Sequence, residues 1–595
     1  MAKMRGADII AEYLVREKVP FLFGLCGHGN IGLLDAFYDR RDKIKLISVR
    51  HEQAAAHMAD AYFRVAHKPV ATFTSCGPGS TNLITAVASA MMDSSAFLAI
   101  TGDVSTPQFG RGPFQETGRH YQAEFTNVIR PYVKRSYQPT RVEMIPLMLR
   151  QAFKTMTTGR TGPVHFDVPL DCFAEEADVE VPEPGLWREG ISSRSAGDPQ
   201  SIAKALDFLM NADRPCILAG HGAVISEAAS ELRRLADLLN IPVATTGNGR
   251  GLIPADHPLS LGFAGGDGSY QANEACRTSD VLLAVGVKFD DCQSSAWLPG
   301  YTFNIPPTKL IHVDIDPDEM ARNYPPTLGI LGDAKAFLAE LLRLAEGRVK
   351  KDGNQNRKWL DDIDNWRKGW EEFNEPAFNS SSVPIRPERL VKDIRAVMPR
   401  DSILVSDIGE HHRWLLQYYD AYEPGGVLQS WGFGAMGFGT CGVLGAKLAA
   451  PGKTCVSVCG DGGFMMTPHI LCTAVEYDIP AVWVVWNNYG YNAIRLLQTG
   501  IWPEREIVTS FRNEKTGELY NPDFVALAKA CGADGARVEK PGDFKDVLKH
   551  GIESNKPYVI DVVVDRDLYC PSTGTWQLPP FPEPPPAYGK RHLIK

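Results

Sequence analysis

Residues 454–490 read TCVSVCGDGGFMMTPHILCTAVEYDIPAVWVVWNNYG. Two apolar runs, 454–458 and 481–486, have the length and composition of buried strands, and a helical pattern over 467–477 joins them. Strand, helix and strand in that order make a βαβ unit, with its strands parallel in a covered sheet. Gly460-Asp461-Gly462 breaks the first strand and Asn487-Asn488 ends the second. Asp461 and Asn488 therefore stand at the carboxyl ends of two strands, where open α/β sheets bind ligands. A carboxylate, an amide oxygen and a carbonyl from the Gly490 turn are hard donors that suit Mg²⁺ shared with two phosphate oxygens and a water. The glycines let backbone N–H groups approach a diphosphate. Alone, Gly-Asp-Gly fits an ordinary strand-end turn equally well. The asparagine pair, with Asn488 27 residues beyond Asp461, makes the combination far more specific.

At 595 residues the chain is too long for one core, and about 150 residues per domain suggests three or four. The net charge of −9, without a basic cluster, argues against a nucleic-acid surface. No window approaches the roughly 18 uninterrupted apolar residues of a membrane span. Residues 1–19 carry charges inside an apolar pattern and read as an amphipathic helix, not a signal peptide. Twelve cysteines without a CxxC pair, several in apolar runs, point to reduced thiols in a cytoplasmic protein.

The rest of the chain repeats the alternation of strand and helix. A first unit, 1–180, has helical patterns over 8–18, 52–65 and 79–92 and strands at 21–24, 46–49, 70–74, 96–101 and 164–168. A polar stretch, 181–200, reads as a linker. A second unit, 195–345, has strands at 216–219, 243–246, 281–285 and 310–313 and a helix at 226–239. Residues 346–384, with Trp359, Trp366 and Trp370 in one helical run, read as a second linker. A third unit covers 385–568. The tail 569–595 is too rich in proline for a helix or central strand, and is either a surface-hugging extension or disordered. The expected fold is α/β, with three doubly wound parallel-sheet domains.

The first unit also carries turns at strand ends. Glu52 opens a helix directly after a strand, where a carboxylate is ordinarily a dipole partner. Ala54, Ala55, Ala56 and Ala59 leave that helix small-sided, so that something large can lie against it. Gly27, His28 and Gly29 form a glycine-rich turn with an imidazole at its tip, and residues 74–82, ending at Asn82, form a second turn with donors. Each suits plain turn chemistry; three from one sheet point to a pocket.

Together these motifs resemble the thiamine diphosphate (ThDP)-dependent enzymes of the acetolactate synthase and pyruvate decarboxylase superfamily, most of all the acetolactate synthase-like branch, over nearly the whole chain. The resemblance implies a pyrimidine-binding domain (1–180), a central domain (195–345) able to hold a nucleotide, and a diphosphate- and Mg²⁺-binding domain (385–568). It places the cofactor between the first domain of one subunit and the third of another, hence a homodimer or homotetramer. Glu52 matches the glutamate that protonates the aminopyrimidine, and Met436, in Gly434–Gly439, matches the residue that wedges the cofactor. His28, His411 and Gln115, in Phe114-Gln115-Glu116, are the polar groups expected near the reacting carbons. Ile408, Gly409, Glu410 and His411 match the diphosphate cradle, with Glu410 where glutamine is commoner. Gly27, Asn82, Gly460, Gly462, Gly463, Asn488, Tyr489 and Gly490 complete the cofactor contacts; Asp461, Asn488 and Gly490 are the implied metal ligands. Gly220-His221-Gly222 and 286–291 resemble segments that carry a structural FAD, although the stretch LGFAGGDGSYQAN departs from the usual form.

The implied activity is a carboligase or lyase acting on small 2-oxoacids, aldehydes or ketones through a cofactor-bound enamine. A 2-oxoacid decarboxylase, a cyclic-dione hydrolase and a non-catalytic ThDP-binding paralogue are the alternatives. Three departures bear on the reaction: Cys292 stands where an arginine is expected, Leu497 near an expected tryptophan, and Ile494 where decarboxylases have a glutamate.

Overall fold

A computed structural model describes residues 2–115, 125–188, 193–348 and 356–575. It contains three six-stranded sheets whose pairings are all parallel, each with helices on its faces, and a small antiparallel pair of Ala2–Arg5 with Glu176–Val179. In the first sheet the strands run Lys45–Ser48, Phe21–Gly24, Ala71–Thr74, Leu98–Asp103, Val164–Pro169, Arg135–Tyr137. The third runs Val427–Gln429, Ile403–Ser406, Cys455–Gly460, Val482–Asn487, Tyr558–Val563, Asp534–Val538. Ranked by position in the chain, both have the order 2-1-3-4-6-5. The central sheet, Ser260–Phe263 to Leu328–Leu331, has the order 3-2-1-4-5-6 of dinucleotide-binding folds.

Each order reverses beside its first strand, and the crevice outside the strand ends at that reversal is where such sheets bind ligands. In the first sheet the reversal falls between Phe21–Gly24 and Ala71–Thr74, and in the third between Ile403–Ser406 and Cys455–Gly460. In the central sheet it falls between Pro215–Ala219 and Val281–Val285. The glycine-rich turns of the sequence lie at these three points.

The helices Glu52–Ala66 and Phe438–Ala449 pack the first unit against the third. A Cβ on Gly445 would sit 2.9 Å from the Met58 Cα, and one on Gly442 3.1 Å from the Ala61 Cβ. The small side of the glutamate helix therefore receives another helix. A second tie is Arg64, buried with Asp60 (2.6 Å) and Asp93 (3.0 Å), which also donates to the Gln429 carbonyl (2.6 Å). Asp93 in turn accepts from the backbone N–H of Trp431 (2.9 Å) and Gly432 (2.8 Å).

Several local expectations are corrected. The pattern over 79–92 divides into Pro78–Thr81 and Ile84–Met92, and that over 226–239 into His221–Ile225 and Ala229–Leu239. The pattern over 467–477 becomes Asp461–Met466 and Ile470–Glu476. Residues 181–200 hold a short helix, Gly185–Arg188, and the start of Pro199–Met210. Residues 346–384 are no slack linker: Arg357–Phe378 is one helix with Trp359, Ile363 and Trp370 buried. Its Trp359 Nε1 donates to the Pro215 carbonyl of the central sheet (3.1 Å). Near its other end Asn374 accepts from the Tyr418 hydroxyl (2.8 Å) in the third unit. The described part of the tail, 569–575, is packed into the protein, with Cys570 and Thr573 buried and Tyr569 exposed. Thr573 donates to the Gly268 carbonyl (2.7 Å) and the Gly574 N–H donates to the Gly266 carbonyl (3.1 Å). Residues 576–595 lie outside the described residues.

Candidate functional site

At the first switch point Glu52 is buried, 6% exposed, as the first residue of its helix. Asn82 Nδ2 donates to its Oε2 (3.0 Å). Its Oε1 lies 3.5 Å from where a Cβ on Gly79 would be, so a glycine there keeps space around the carboxylate. Across the crevice His28 is exposed, with its Nε2 3.5 Å from the Cys76 Sγ. Gln115 adopts φ 68° and lies against Gly77 (φ 60°), where a Cβ would be 2.9 Å from that of Gln115. Gly27, His28, Glu52, Asn82 and Gln115 are thus gathered at the ends of neighbouring strands; Glu116 lies outside the described residues.

The third sheet builds the facing half. Asp407 is fully buried after its strand and accepts from the N–H of Ile408 (2.9 Å) and Gly437 (2.9 Å) and from the Thr440 hydroxyl (3.2 Å). Burial pushes its carboxyl up to about 6. These bonds fix the Gly434–Gly437 turn, with Gly434 at φ 66° and Gly437 at φ 95°, and so the half-buried Met436. A Cβ on Gly463 would be 2.9 Å from Asp407 Oδ2 and 4.0 Å from the Met436 Cβ, which joins the Gly460–Gly463 turn to the same place. His411 Nε2 donates to the Asp407 carbonyl (2.9 Å), and its Nδ1 is 3.5 Å from where a Cβ on Gly460 would be. Burial pushes His411 down to about 3, so the ring is neutral.

Asp461 is fully buried and forms no ion pair among the described residues. Its Oδ1 accepts from the Gly462 N–H (2.8 Å), and its Oδ2 from Gly490 N–H (3.2 Å) and Asn521 Nδ2 (2.8 Å). Burial pushes this carboxyl up to about 6. A buried carboxylate without a cation, beside the buried Asn488 and the Gly490 backbone, is a donor set that fits a divalent metal.

Two of the expected cofactor residues also have side-chain neighbours of their own. The Glu410 carboxylate is buried 3.9 Å from Arg413, with neither oxygen hydrogen-bonded among the described residues, and burial pushes it up to about 7. The Tyr489 side chain points to Arg537, which donates to its hydroxyl (3.1 Å).

The two halves meet within one chain. Gln53 Nε2 donates to the Met436 carbonyl (3.4 Å), and the Ser48 N–H donates to the Tyr477 hydroxyl (2.9 Å). Asp407 was legible only as part of a motif. Gln53 and Asn521 carried no signal in the sequence, since Asn521 meets Asp461 from a loop 60 residues further on.

The departures also have positions. Ile494 is 56% exposed on the helix Asn492–Ile501. Cys292 accepts at its carbonyl from the Gly266 N–H (2.7 Å). Arg413, whose charge reaches Cys292, is bound through Nε and Nη2 to Asp267 (3.0 and 2.7 Å). Arg495 is held by Glu506 (3.1 Å) and Asp567 (2.6 Å).

A buried glutamate at one switch point and a buried aspartate among glycines and asparagines at another lie on the first and third of three α/β units, the arrangement of an enzyme that binds a cofactor at strand ends. Comparison with known proteins agrees domain by domain. Residues 4–123 match the thiamine pyrophosphate enzyme N-terminal TPP binding domain, 202–341 the central domain and 407–562 the C-terminal TPP binding domain. Over 97% of its length the chain is 35% identical to a probable acetolactate synthase large subunit of Methanococcus aeolicus, covering 94% of that protein. It is 37% identical to the corresponding protein of Methanocaldococcus jannaschii (94% of this chain, 92% of that one). With acetolactate synthase isozyme 3 large subunit of Escherichia coli the identity is 32% (95% and 96%). The chain belongs to the thiamine pyrophosphate (thiamine diphosphate) enzyme family, in its acetolactate synthase-like branch.

Proposed function

We propose that the protein is a ThDP- and Mg²⁺-dependent carboligase that joins a small 2-oxoacid donor to an uncharged aldehyde or ketone. The observation that carries this reading is Glu52, buried and held by Asn82 at one switch point and tethered through its neighbour Gln53 to the Met436 turn of the other. When bound, ThDP supplies a carbanion that adds to a carbonyl carbon and stores the electron pair released when a carbon–carbon bond breaks.

The protein's own groups bind, orient and move protons. Glu52 holds and returns the proton at the aminopyrimidine end. Met436, fixed through Asp407 and Gln53, shapes the middle of the site. Asp461, Asn488 and the Gly490 carbonyl hold the metal, and the 408–411 and 460–463 turns offer backbone N–H groups to the diphosphate. We assign His411 to the Asp407 turn instead of proton transfer, because its burial keeps it neutral. Carboligation is favoured over aldehyde release because Ile494 offers no acid to protonate the donor carbon. The acceptor is uncharged because Cys292 brings no cation, Arg413 and Arg495 are already paired with carboxylates, and the charge of Lys288 acts on Asp290; an unpaired buried carboxylate costs several kcal/mol. The resemblance places the cofactor between the first unit of one subunit and the third of another, and on that ground we take the working form to be a homodimer or homotetramer.

The central switch point opens on a cavity of about 930 Å³, lined by Gly222, Gly286 and Asp314. The buried His221 Nε2 and Gln293 Oε1 in its wall have no hydrogen-bond partner among the described residues. Its size and unsatisfied polar groups fit a nucleotide, and FAD in a structural role is the occupant we assign.

Two measurements test the function. The ThDP C2 proton should exchange rapidly with deuterium in the wild type, and Glu52→Gln should lower turnover roughly 10²–10⁴-fold while keeping the fold. Pyruvate fed with a neutral aldehyde should give mainly the cross-coupled hydroxyketone. Acetaldehyde as the dominant product would remove the carboligase reading, and acetolactate the uncharged acceptor.

A further inference from the structure

A second, smaller cavity of about 170 Å³ lies where the central unit, the helix Arg357–Phe378 and the third unit meet. Arg250, in its wall, belongs to the loop after the central strand Val243–Thr245, and that loop is docked on the third unit. The Ala255 N–H donates to the Ala421 carbonyl (2.9 Å), and Asp256 accepts from Arg400 (2.7 and 2.9 Å). The Arg250 side chain is thereby carried into the joint between two domains, where it is 6% exposed.

The cations of this cavity are Arg250, Arg367 and Lys392, and its carboxylates are Glu371 and Asp420. Arg367 is bound to Asp364 (2.8 Å) and Lys392 to Asp420 (3.4 Å), while Glu371 is exposed. Arg250 forms no ion pair among the described residues. Its Nη1 donates to the Leu415 carbonyl (2.9 Å), and its other N–H groups have no partner among those residues. The Tyr419 ring, its centroid 6.0 Å from the guanidinium carbon, and the carbonyl end of the helix Glu410–Tyr418 offset part of the charge. Neither is a counter-ion. Burial pushes Arg250 down to about 10, so it stays charged at neutral pH. A buried charge left unpaired is strongly unfavourable, and a guanidinium fork matches two oxygens of one oxyanion. In the same wall Gln271 turns its Nε2 to the Leu261 carbonyl (3.1 Å), an atom that can only accept. Its Oε1 is left buried, without a donor among the described residues.

We propose that this cavity is a phosphate site, in which hydrogen phosphate takes the Arg250 fork on two of its oxygens and donates its hydroxyl to Gln271 Oε1. One ion supplies both the missing counter-charge and the missing donor. Sulfate and carboxylate ions bring oxygens alone, with no proton to donate at neutral pH. A space of about 170 Å³ is too small for a nucleotide, which calls for roughly 300 Å³ or more. Nothing in this site depends on the carboligase reading. Its occupant joins the central unit to the helix whose first turn carries His411.

The test is calorimetric titration of inorganic phosphate into the full chain, loaded with ThDP and Mg²⁺ so that the diphosphate cradle is already filled. The wild type should show a phosphate site, and phosphate should raise its melting temperature relative to chloride at equal ionic strength. Arg250→Met, which keeps the length of the side chain without its charge, should remove that site and that rise. Arg250→Lys keeps the charge, and with it the fold, but should bind phosphate about tenfold more weakly, because a point charge replaces a fork. Sulfate should bind the wild type up to about tenfold more weakly than phosphate, the worth of the hydrogen bond to Gln271, and Gln271→Met should erase that preference. A wild type that takes up no phosphate overturns the proposal. So does an unchanged stoichiometry in Arg250→Met, an unchanged affinity in Arg250→Lys, or sulfate that binds the wild type as tightly as phosphate.

Discussion

Gly445→Ala tests whether the two halves of the site are held together by close helix packing. The added methyl would stand 2.8 Å from the Met58 carbonyl carbon and 2.9 Å from its Cα. Carbon atoms in contact prefer roughly 3.5–4.0 Å, so the helices Glu52–Ala66 and Phe438–Ala449 must part by about 1 Å. The obstacle is backbone, which cannot rotate aside. Overpacking of this kind costs about 3 kcal/mol, the upper end of the usual range. For a protein of this size that lowers the melting temperature by on the order of 2–3 °C at a fixed scan rate. The same displacement moves Glu52 relative to the Met436 turn, and a misplacement of about 1 Å costs roughly 10²-fold in rate. Gly452→Ala is the control, since a Cβ there meets nothing within 4 Å. Differential scanning calorimetry and turnover of both variants decide it. A Gly445→Ala protein that melts and turns over like the control would refute the packing argument.

Glu410→Gln should stabilise the protein at pH 8. Burial raises this carboxyl to about 7, so the folded state prefers it protonated. The stability this gives is fully present below the unfolded value of about 4.5 and lost as pH rises through 7. Urea unfolding should show a gain of up to about 3 kcal/mol at pH 8 that vanishes near pH 4; a pH-independent difference refutes it. Asp461→Ala should abolish Mg²⁺-dependent ThDP binding in calorimetric titration, because the diphosphate then lacks its bridging cation; wild-type affinity in that variant would remove the metal assignment. Arg64→Met should destabilise by roughly 3–5 kcal/mol through two uncompensated buried aspartates, read by the same urea unfolding; a loss below about 1 kcal/mol would show that the triad is dispensable.

What the sequence revealed was local in the chain. Gly460-Asp461-Gly462, the Glu52 helix start and the His28 turn are each a strand end followed by a few residues, so their chemistry and placement are readable together. What it hid depends on partners far apart. Arg64 reads as one more charge on an alanine-rich helix, yet it binds Asp93 and the Gln429 carbonyl, 29 and 365 residues away. Asn521 sits in a polar loop with nothing to announce it. Glu410 falls inside a recognisable motif, but the direction of its side chain depends on Arg413 and Asp267, one of them in another domain. The tryptophans of 357–378 looked like decoration on a connector because their acceptors, Pro215 among them, belong to a different sheet.

That helix works as a strut. Its 22 residues span about 33 Å, pinned at one end to the central sheet by Trp359 and at the other to Tyr418 by Asn374 and the stacked Trp370. Tyr418 closes the helix Glu410–Tyr418, whose first turn carries His411. The two rods are joined end to side with no slack segment between them, so a load placed on the central sheet has a stiff path to the diphosphate end of the site. Among the described residues this helix is the tie on that side, so a tilt of the central domain would load the 408–411 turn.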